Sequence, residues 1–287
     1  MASLLLFLPS IAIQAENQEN MIRIKGSDTM LQAILSLGES FSTLQYPKKI
    51  RILVTGGGSG NGIAALLNGH TDIASTSRAL TPQEEQMALK RFKKIPVDHV
   101  VALDAVTVFV HPSNPLRVIS VENLAKIFGK NSPFRSWIQF AQAVPGCMNQ
   151  EIVRISRKNN SGTYGFFRES LLGDQSQFVA DLLTVEHSSD VVDQVAKSPC
   201  AIGYSSMAQE NGQPVKTLCI STNGSLESAC LYPIASTIYN HAYPFARSLH
   251  MYTLGTPSGL VQQFLDWVNS SQGRKIFGQA GFVSIPN

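Results

Sequence analysis

From residue 22 onward, short β-branched runs alternate with segments of helical periodicity: Ile22 to Ile24, Leu31 to Phe41, Ile50 to Val54, Ile63 to Leu67, then Asp72 to Ser75. Such alternation predicts βαβ units and a parallel sheet. A second series starts with Ala105 to Val110. It runs through a helix at Val121 to Phe128, a strand at Glu151 to Ser156, helices at Tyr164 to Leu172 and around Ser189 to Ala196, and a strand at Ala201 to Tyr204. This predicts a second α/β unit. A further β-like run, Ser248 to Thr253, precedes Pro257, Ser258, an amphipathic helix through Val268 and a last helix near Gln272 to Gly278. If Val106 to Val110 and Leu249 to Thr253 both cross between the units, the chain leaves the first unit and returns to it. That organisation is a discontinuous domain around a cleft, with a hinge. No internal repeat or low-complexity tract interrupts it.

Composition sharpens this picture. The 287 residues exceed what one compact core usually needs, and the 15% of charged residues, against roughly 25% in ordinary soluble domains, excludes charge-driven disorder. Lys plus Arg number 23 and Asp plus Glu 20, so the net charge of +3 argues against a surface for nucleic acid. At the amino terminus, Leu4 to Leu8 and Ile11 to Ile13 form an apolar run ending at Gln14 and Ala15, before the polar stretch Glu16 to Asn20. The run is shorter than the about 20 residues of a membrane span and has a small residue at its end, so residues 1–15 are expected to be a signal peptide. It lacks a basic start. No later segment is long and apolar enough to span, so no stable membrane insertion is expected, and the periplasm is the expected compartment. Cys147, Cys200, Cys219 and Cys230 contain no CxxC, against a zinc ribbon or a thioredoxin-like pair. Three pairings are open to them. A Cys219–Cys230 bridge is one candidate, around a turn at Asn223 and Gly224.

One local chemistry recurs: a small, hydroxyl-rich or glycine-rich turn after a strand and directly before a helix. It occurs at Gly26, Ser27, Asp28, Thr29, Met30, where Ser27, Asp28 or Thr29 can cap the next helix. It occurs again at Gly56, Gly57, Gly58, Ser59, Gly60, Asn61, Gly62, and at Asn160, Ser161, Gly162, Thr163. A helix start carries unpaired N–H groups and partial positive charge, so each turn is a potential anion site. Singly, each is an ordinary capped helix start. Together, at the carboxyl ends of strands, the three face the crevice of an α/β sheet and can converge on one small ligand. Arg78 follows the Ile73 to Ser77 turn and Arg157 ends the Ile152 to Ser156 strand, each offering a fork for a tetrahedral oxyanion or a partner for a surface carboxylate.

The glycine loop fails as a P-loop, since no lysine follows, and as a nucleophile elbow, since Asn61 stands where glycine is needed. Gly60, Gly62 and Ala65 do satisfy GxGxxA, but the following helix is short and no acidic residue follows the next strand, which weakens a dinucleotide reading. His70, His99, His111, His187, His241 and His250 are scattered without metal-binding spacing, so neither a metal nor any other cofactor is expected.

GSDTM at Gly26 to Met30, GGGSGNGI at Gly56 to Ile63, TSR at Thr76 to Arg78, and Arg157 with SGT at Ser161 to Thr163 resemble the PstS family, the phosphate-binding proteins of ABC transporters. The resemblance extends to AIGY at Ala201 to Tyr204, YPFAR at Tyr243 to Arg247 and GFVSIPN at Gly281 to Asn287. It implies an α/β, two-lobed periplasmic binding protein of type II that closes on inorganic phosphate and delivers it to inner-membrane permease subunits. A monomer without enzymatic activity is expected. Lobe one would comprise residues 20–107 plus 249–287, and lobe two residues 108–248. Carried over by position, Ser27, Asp28, Thr29, Gly58, Ser59, Ser77 and Arg78 would bind from lobe one, and Arg157, Ser161, Gly162 and Thr163 from lobe two. Some members carry an aspartate where this chain has Arg78, so the carboxylate accepting the phosphate proton would be Asp28. A secreted phosphatase-like or phosphoryl-transfer enzyme, and a binder of another oxyanion such as sulfate, are the alternatives.

Overall fold

The computed structural model of the chain describes residues 20–285 apart from 46, 141–142, 174–175, 211 and 223–229. The expected signal peptide and the Asn223–Gly224 turn lie outside the described residues. The elements of the first half are β1 (Met21–Gly26), α1 (Leu31–Leu44), β2 (Arg51–Thr55), α2 (Ser59–Leu66), β3 (Ile73–Thr76), α3 (Pro82–Phe92) and β4 (Pro96–Val110). There follow β5 (Val118–Ser120), α4 (Val121–Phe128), a 3-10 turn at Trp137–Phe140, β6 (Val153–Arg157), α5 (Gly162–Leu172), β7 (Leu183–Val185), α6 (Ser188–Lys197) and β8 (Ala201–Ser206). The chain continues with a 3-10 turn at Met207–Gln209, β9 (Lys216–Thr217), β10 (Cys219–Ser221), β11 (Cys230–Leu231), α7 (Ala235–Tyr239), β12 (Ala246–Leu254), α8 (Gly259–Val268) and α9 (Ser271–Gln279).

Local physics accounts for the main elements. Alternation of half-buried and buried positions along β1 marks a strand with one covered face, whereas all of β3 is buried at the sheet centre. In α1 the buried residues Ala33, Ile34, Leu37, Gly38 and Phe41 recur at helical spacing on one stripe. Helix α3, which the hydrophobic pattern does not announce because Ala88 alone is buried, is fixed instead by a capping box between Thr81 and Glu84 with Pro82 at its first turn.

The strands form a sheet in the order β2-β1-β3-β12-β4-β8-β6-β7, with β9 also on β4, beside a small sheet β11-β10-β5. β1, β2 and β3 are parallel, as are β6, β7 and β8. The expectation of a parallel sheet is corrected at its middle, where β12 runs antiparallel to both β3 and β4, and β4 antiparallel to β8. The returning chain dictates this. β4 starts at Pro96 rather than Ala105, pairs with β12 through Ala105, then with β8 from Val106.

The core divides at that place. One cluster holds Ile22, Ile24, Ile34, Phe41, Val101, Ala102, Leu249, Met251, Phe264 and Phe277. The other holds Ala105, Val108, Phe128, Trp137, Phe167, Tyr204 and Phe245, where Phe167 and Tyr204 stack with ring centroids 4.1 Å apart. Along β4 the core changes between Ala102 and Ala105, and along the returning chain between Ala246 and Leu249.

Two disulfides staple the second half: Cys147–Cys200 and Cys219–Cys230, the latter being the pairing considered from the sequence. They close loops of very different length, with separations of 53 and 11 residues. Removing the longer one by Cys147→Ser with Cys200→Ser is expected to cost about 2–5 kcal/mol in urea unfolding, more than removal of the shorter. Equal losses from the two double variants would contradict this loop-length account.

Candidate functional site

The three turns converge where the two halves of the sheet meet. β1 delivers Ser27, Asp28 and Thr29, the end of β2 delivers Gly57 and Gly58 into α2, the end of β3 delivers Ser77, and β6 delivers Arg157 ahead of α5. Ser27, Thr29, Ser59, Ser77, Arg157, Ser161 and Thr163 are all buried. Burying so many polar groups together is costly unless they have partners or a ligand.

None of the three hydroxyl or carboxyl candidates caps α1, whose cap position is Met30 without a side-chain bond. Asp28 instead reaches sideways. Its Oδ1 accepts from the Gly57 N–H at 2.8 Å and its Oδ2 accepts from Arg157 Nη2 at 2.9 Å. Both side chains of that ion pair are almost wholly buried, and it joins the two halves of the molecule. Arg157 also donates from Nε and Nη2 to the Glu186 carbonyl and from Nη1 to Ser188 Oγ, so four of its five N–H hydrogens are directed at protein atoms. Burial lowers the Arg157 pKa and Asp28 opposes that effect. His187 Nδ1 stands 4.0 Å from Asp28 Oδ1 at the solvent edge.

Serine and threonine hydroxyls line the rest. Ser59 Oγ lies 3.3 Å from Ser77 Oγ and accepts from the Ser77 N–H at 3.1 Å. Thr29 Oγ1 lies 3.1 Å from Thr163 Oγ1, again across the two halves. Ser161 caps α5 by accepting from the Thr163 and Tyr164 N–H groups, as the sequence suggests. Gly60 N–H donates to the Asn160 carbonyl at 3.0 Å, and Asn160 Nδ2 donates to the Gly57 carbonyl at 3.1 Å. Ser27 Oγ is buried without a hydrogen-bond partner among the described residues.

Glycine is required at two positions. Gly58 has φ +90° and packs against the Asn160 carbonyl, where an added Cβ would come within 2.8 Å. At Gly162 a Cβ would stand 2.3 Å from Ser59 Oγ and 2.5 Å from Ser77 Oγ. The first residues of α2 and α5, Ser59 and Gly162, therefore nearly touch, which brings the starts of the two helices together.

Arg78 is not brought into this cluster. Its guanidinium forms a two-pronged pair with Glu84, each bond 2.8 Å, and Nη1 also donates to the Ala79 carbonyl. Glu84 is available because the Thr81 capping box places it one turn into α3. The bond to Glu84 raises the Arg78 pKa; burial would raise that of Glu84, but the bonds from Arg78 and Thr81 outweigh it and lower it.

The structure supplies a different arginine, one that the sequence reading did not place in the site. Arg247 of β12 donates from Nη2 to Thr163 Oγ1 at 3.1 Å and from Nη1 to the Ser77 carbonyl at 3.1 Å. Its Nε and Nη2 both reach Asp104 Oδ2, at 2.9 and 2.7 Å, while Ser206 Oγ donates to Asp104 Oδ1. The pair is fully buried. A usable signal existed: Asp104 and Arg247 are each a lone charge in a long apolar run, VVALDAVTVFV and YPFARSLHMYTL, and such charges need one another. Among the described residues no cluster of three or more His, Cys, Asp or Glu side chains could hold a metal ion.

The family model described as the PBP superfamily domain matches residues 12–272. The chain is similar to Protein SphX of Synechococcus elongatus, 28% identical over 284 residues covering 95% of this chain and 80% of that one. It is likewise 28% identical to the phosphate-binding protein PstS of Borreliella burgdorferi, covering 96% of this chain and 95% of the relative. Among solved structures it resembles an ABC-type phosphate transport receptor from Vibrio cholerae, with a TM-score of 0.72 at 23% identity over 92% of this chain and all of that one. The last likeness carries the fold, a mixed α/β arrangement in two lobes.

Proposed function

Because the chain belongs to the PBP superfamily, we propose that it captures inorganic phosphate between two lobes and passes it to the membrane subunits of an ABC-type permease. The observation that carries this reading is the buried meeting of the α2 and α5 starts at Ser59, Ser77 and Gly162, flanked by the Asp28–Arg157 pair. Two helix N-termini, hydroxyl donors and an arginine suit a small oxyanion. The names of the relatives, phosphate-binding protein among them, point to the same ligand. The lobes would be residues 20–107 plus 249–287, and 108–248, supported by the change of core along β4 and β12.

The proposed ligand set is Ser27, Asp28, Thr29, Gly58, Ser59 and Ser77 from lobe one and Arg157, Ser161, Gly162 and Thr163 from lobe two. Arg78 leaves this set because Glu84 holds it, and Arg247 joins it as the group that positions Thr163 and Ser77. We read the protein as a binder and not as an enzyme. Ser59 Oγ is paired with a hydroxyl and a backbone N–H, not with a base that could take its proton. Among the described residues no helix is long and apolar enough to cross a membrane, and we place the protein in the periplasm on the strength of the leader and the disulfides.

Selectivity would rest on Asp28. Phosphate near neutral pH keeps a proton and sulfate keeps none. The Asp28 carboxylate spends one bond per oxygen on Gly57 and Arg157, which leaves acceptor capacity for a P–OH but only repulsion for sulfate. Asp28→Asn is expected to narrow the phosphate-to-sulfate preference by about 30- to 150-fold, the equivalent of roughly 2–3 kcal/mol for a charged hydrogen bond. Calorimetric titration of ligand-stripped protein with each anion tests both claims. An unchanged preference would remove Asp28 from this role, and absence of phosphate binding by the parent would remove the proposed function.

A further inference from the structure

Over the whole chain the charges nearly balance, at 23 basic and 20 acidic residues, but their placement is uneven. Lys90, Arg91, Lys93 and Lys94 supply four positive charges within five residues, so the remaining chain carries +3 − 4 = −1. All four are exposed. They close α3 and lead into β4, and Gly255, after β12, lies against the Lys94 stem.

Strand direction tells where this segment sits. β1, β2 and β3 point their carboxyl ends at the candidate site, and Pro96 pairs with Leu254 beside the amino end of β3. Residues 90–95 therefore occupy the end of lobe one opposite the interlobe site. Lys48, Lys49 and Arg51, at the start of β2, lie at that same end. Of the acids at this end, Asp72 is paired with Arg23, and Asp98 bonds to His250 and Tyr252 rather than to any of these cations. Apolar side chains stand out among the cations. Ile95 is 69% exposed, and Leu44 and Leu89 are each at least half exposed. β1 begins here as well, with the Asn20 carbonyl accepting from the Arg51 N–H.

We propose that this end of lobe one is a docking surface for anionic phospholipid, which holds the protein reversibly at a membrane surface without inserting a span. A basic cluster studded with exposed Leu and Ile complements a negatively charged headgroup layer and its acyl boundary. Screening by salt follows, because the contacts are between exposed charges. The cleft at the other end of the lobe stays clear of the lipid.

The test is flotation of the full chain with vesicles of phosphatidylcholine containing 30% phosphatidylglycerol, against phosphatidylcholine alone, at about 0.05 and 0.5 M salt. Each cation near the surface changes partitioning about fivefold. The variant K90Q/R91Q/K93Q/K94Q is expected to lose at least about 100-fold in partitioning to anionic vesicles, with phosphate binding unchanged. The smaller variant K93Q/K94Q, which leaves the Arg91 bond to Asn68 in place, is expected to lose about 25-fold. Equal flotation of parent and variants, or no preference for anionic vesicles, would overturn the proposal. So would charge-dependent retention on immobilised polyglutamate without flotation, which would assign the face to an acidic protein segment.

Discussion

Arg157→Met is expected to weaken phosphate binding by roughly 150- to 5,000-fold, as befits loss of one partner from a buried charge pair, about 3–5 kcal/mol. The cost falls mainly on closure, not on folding. On the proposed lobes Asp28 and Arg157 face each other across the cleft, so opening would return Asp28 to water and closing would bury it beside methionine. Closing the variant leaves a buried carboxylate without its charge partner. Adding Asp28→Asn removes that carboxylate, so the double variant Arg157→Met with Asp28→Asn should lose less affinity than the two single variants do together. Calorimetry on the single and double variants decides it; parent-like affinity in the single variant would show that the pair is not part of closure.

Gly162→Ala is expected to fold as well as the parent and to bind phosphate about 10- to 100-fold more weakly, in line with the 1–3 kcal/mol of an overpacked contact. Gly162 opens α5 with ordinary helical backbone, a position that suits alanine. Its Cβ, however, would meet Ser59 Oγ at 2.3 Å, Ser77 Oγ at 2.5 Å and Ser59 Cβ at 2.9 Å. A hydroxyl can rotate away, but the Ser59 Cβ cannot. On the proposed lobes those atoms lie across the cleft, so the strain would be relieved by opening and not by unfolding. Small-angle scattering of the variant at saturating phosphate should show a larger radius of gyration than the parent. A fully compact, tightly binding variant would contradict the geometry.

Much of this was legible in the order of residues, for physical reasons that differ from element to element. Helix α4 was read at Val121 to Phe128, as found, since its apolar residues follow helical spacing. The three turns were legible because the same glycine and hydroxyl pattern recurs three times between a strand and a helix. What escaped depended on contacts far apart in sequence. Arg78 and Arg157 look alike on paper, yet one lies next to the Thr81–Glu84 capping box and is captured by it, while the other faces Asp28, 129 residues away. The Asp104–Arg247 pair spans 143 residues and becomes visible only when β4 and β12 are laid side by side. The antiparallel centre of the sheet escaped for the same reason: local patterning names strands, but the chain path orients them.

That central pairing also limits how the molecule can move. β4 and β12 are bonded along Pro96–Ala105 and Ala246–Leu254, and Asp104 and Arg247, opposite one another in the register, clamp the pair where the core changes. A two-stranded ribbon bends across its face more easily than its strands slide past each other, because sliding breaks the ladder bonds. Opening of the proposed lobes would then be mainly a rotation at this pairing. Occupancy of the cleft would then be read out as that rotation, and a docking partner would need to sense only its angle to distinguish a loaded protein from an empty one.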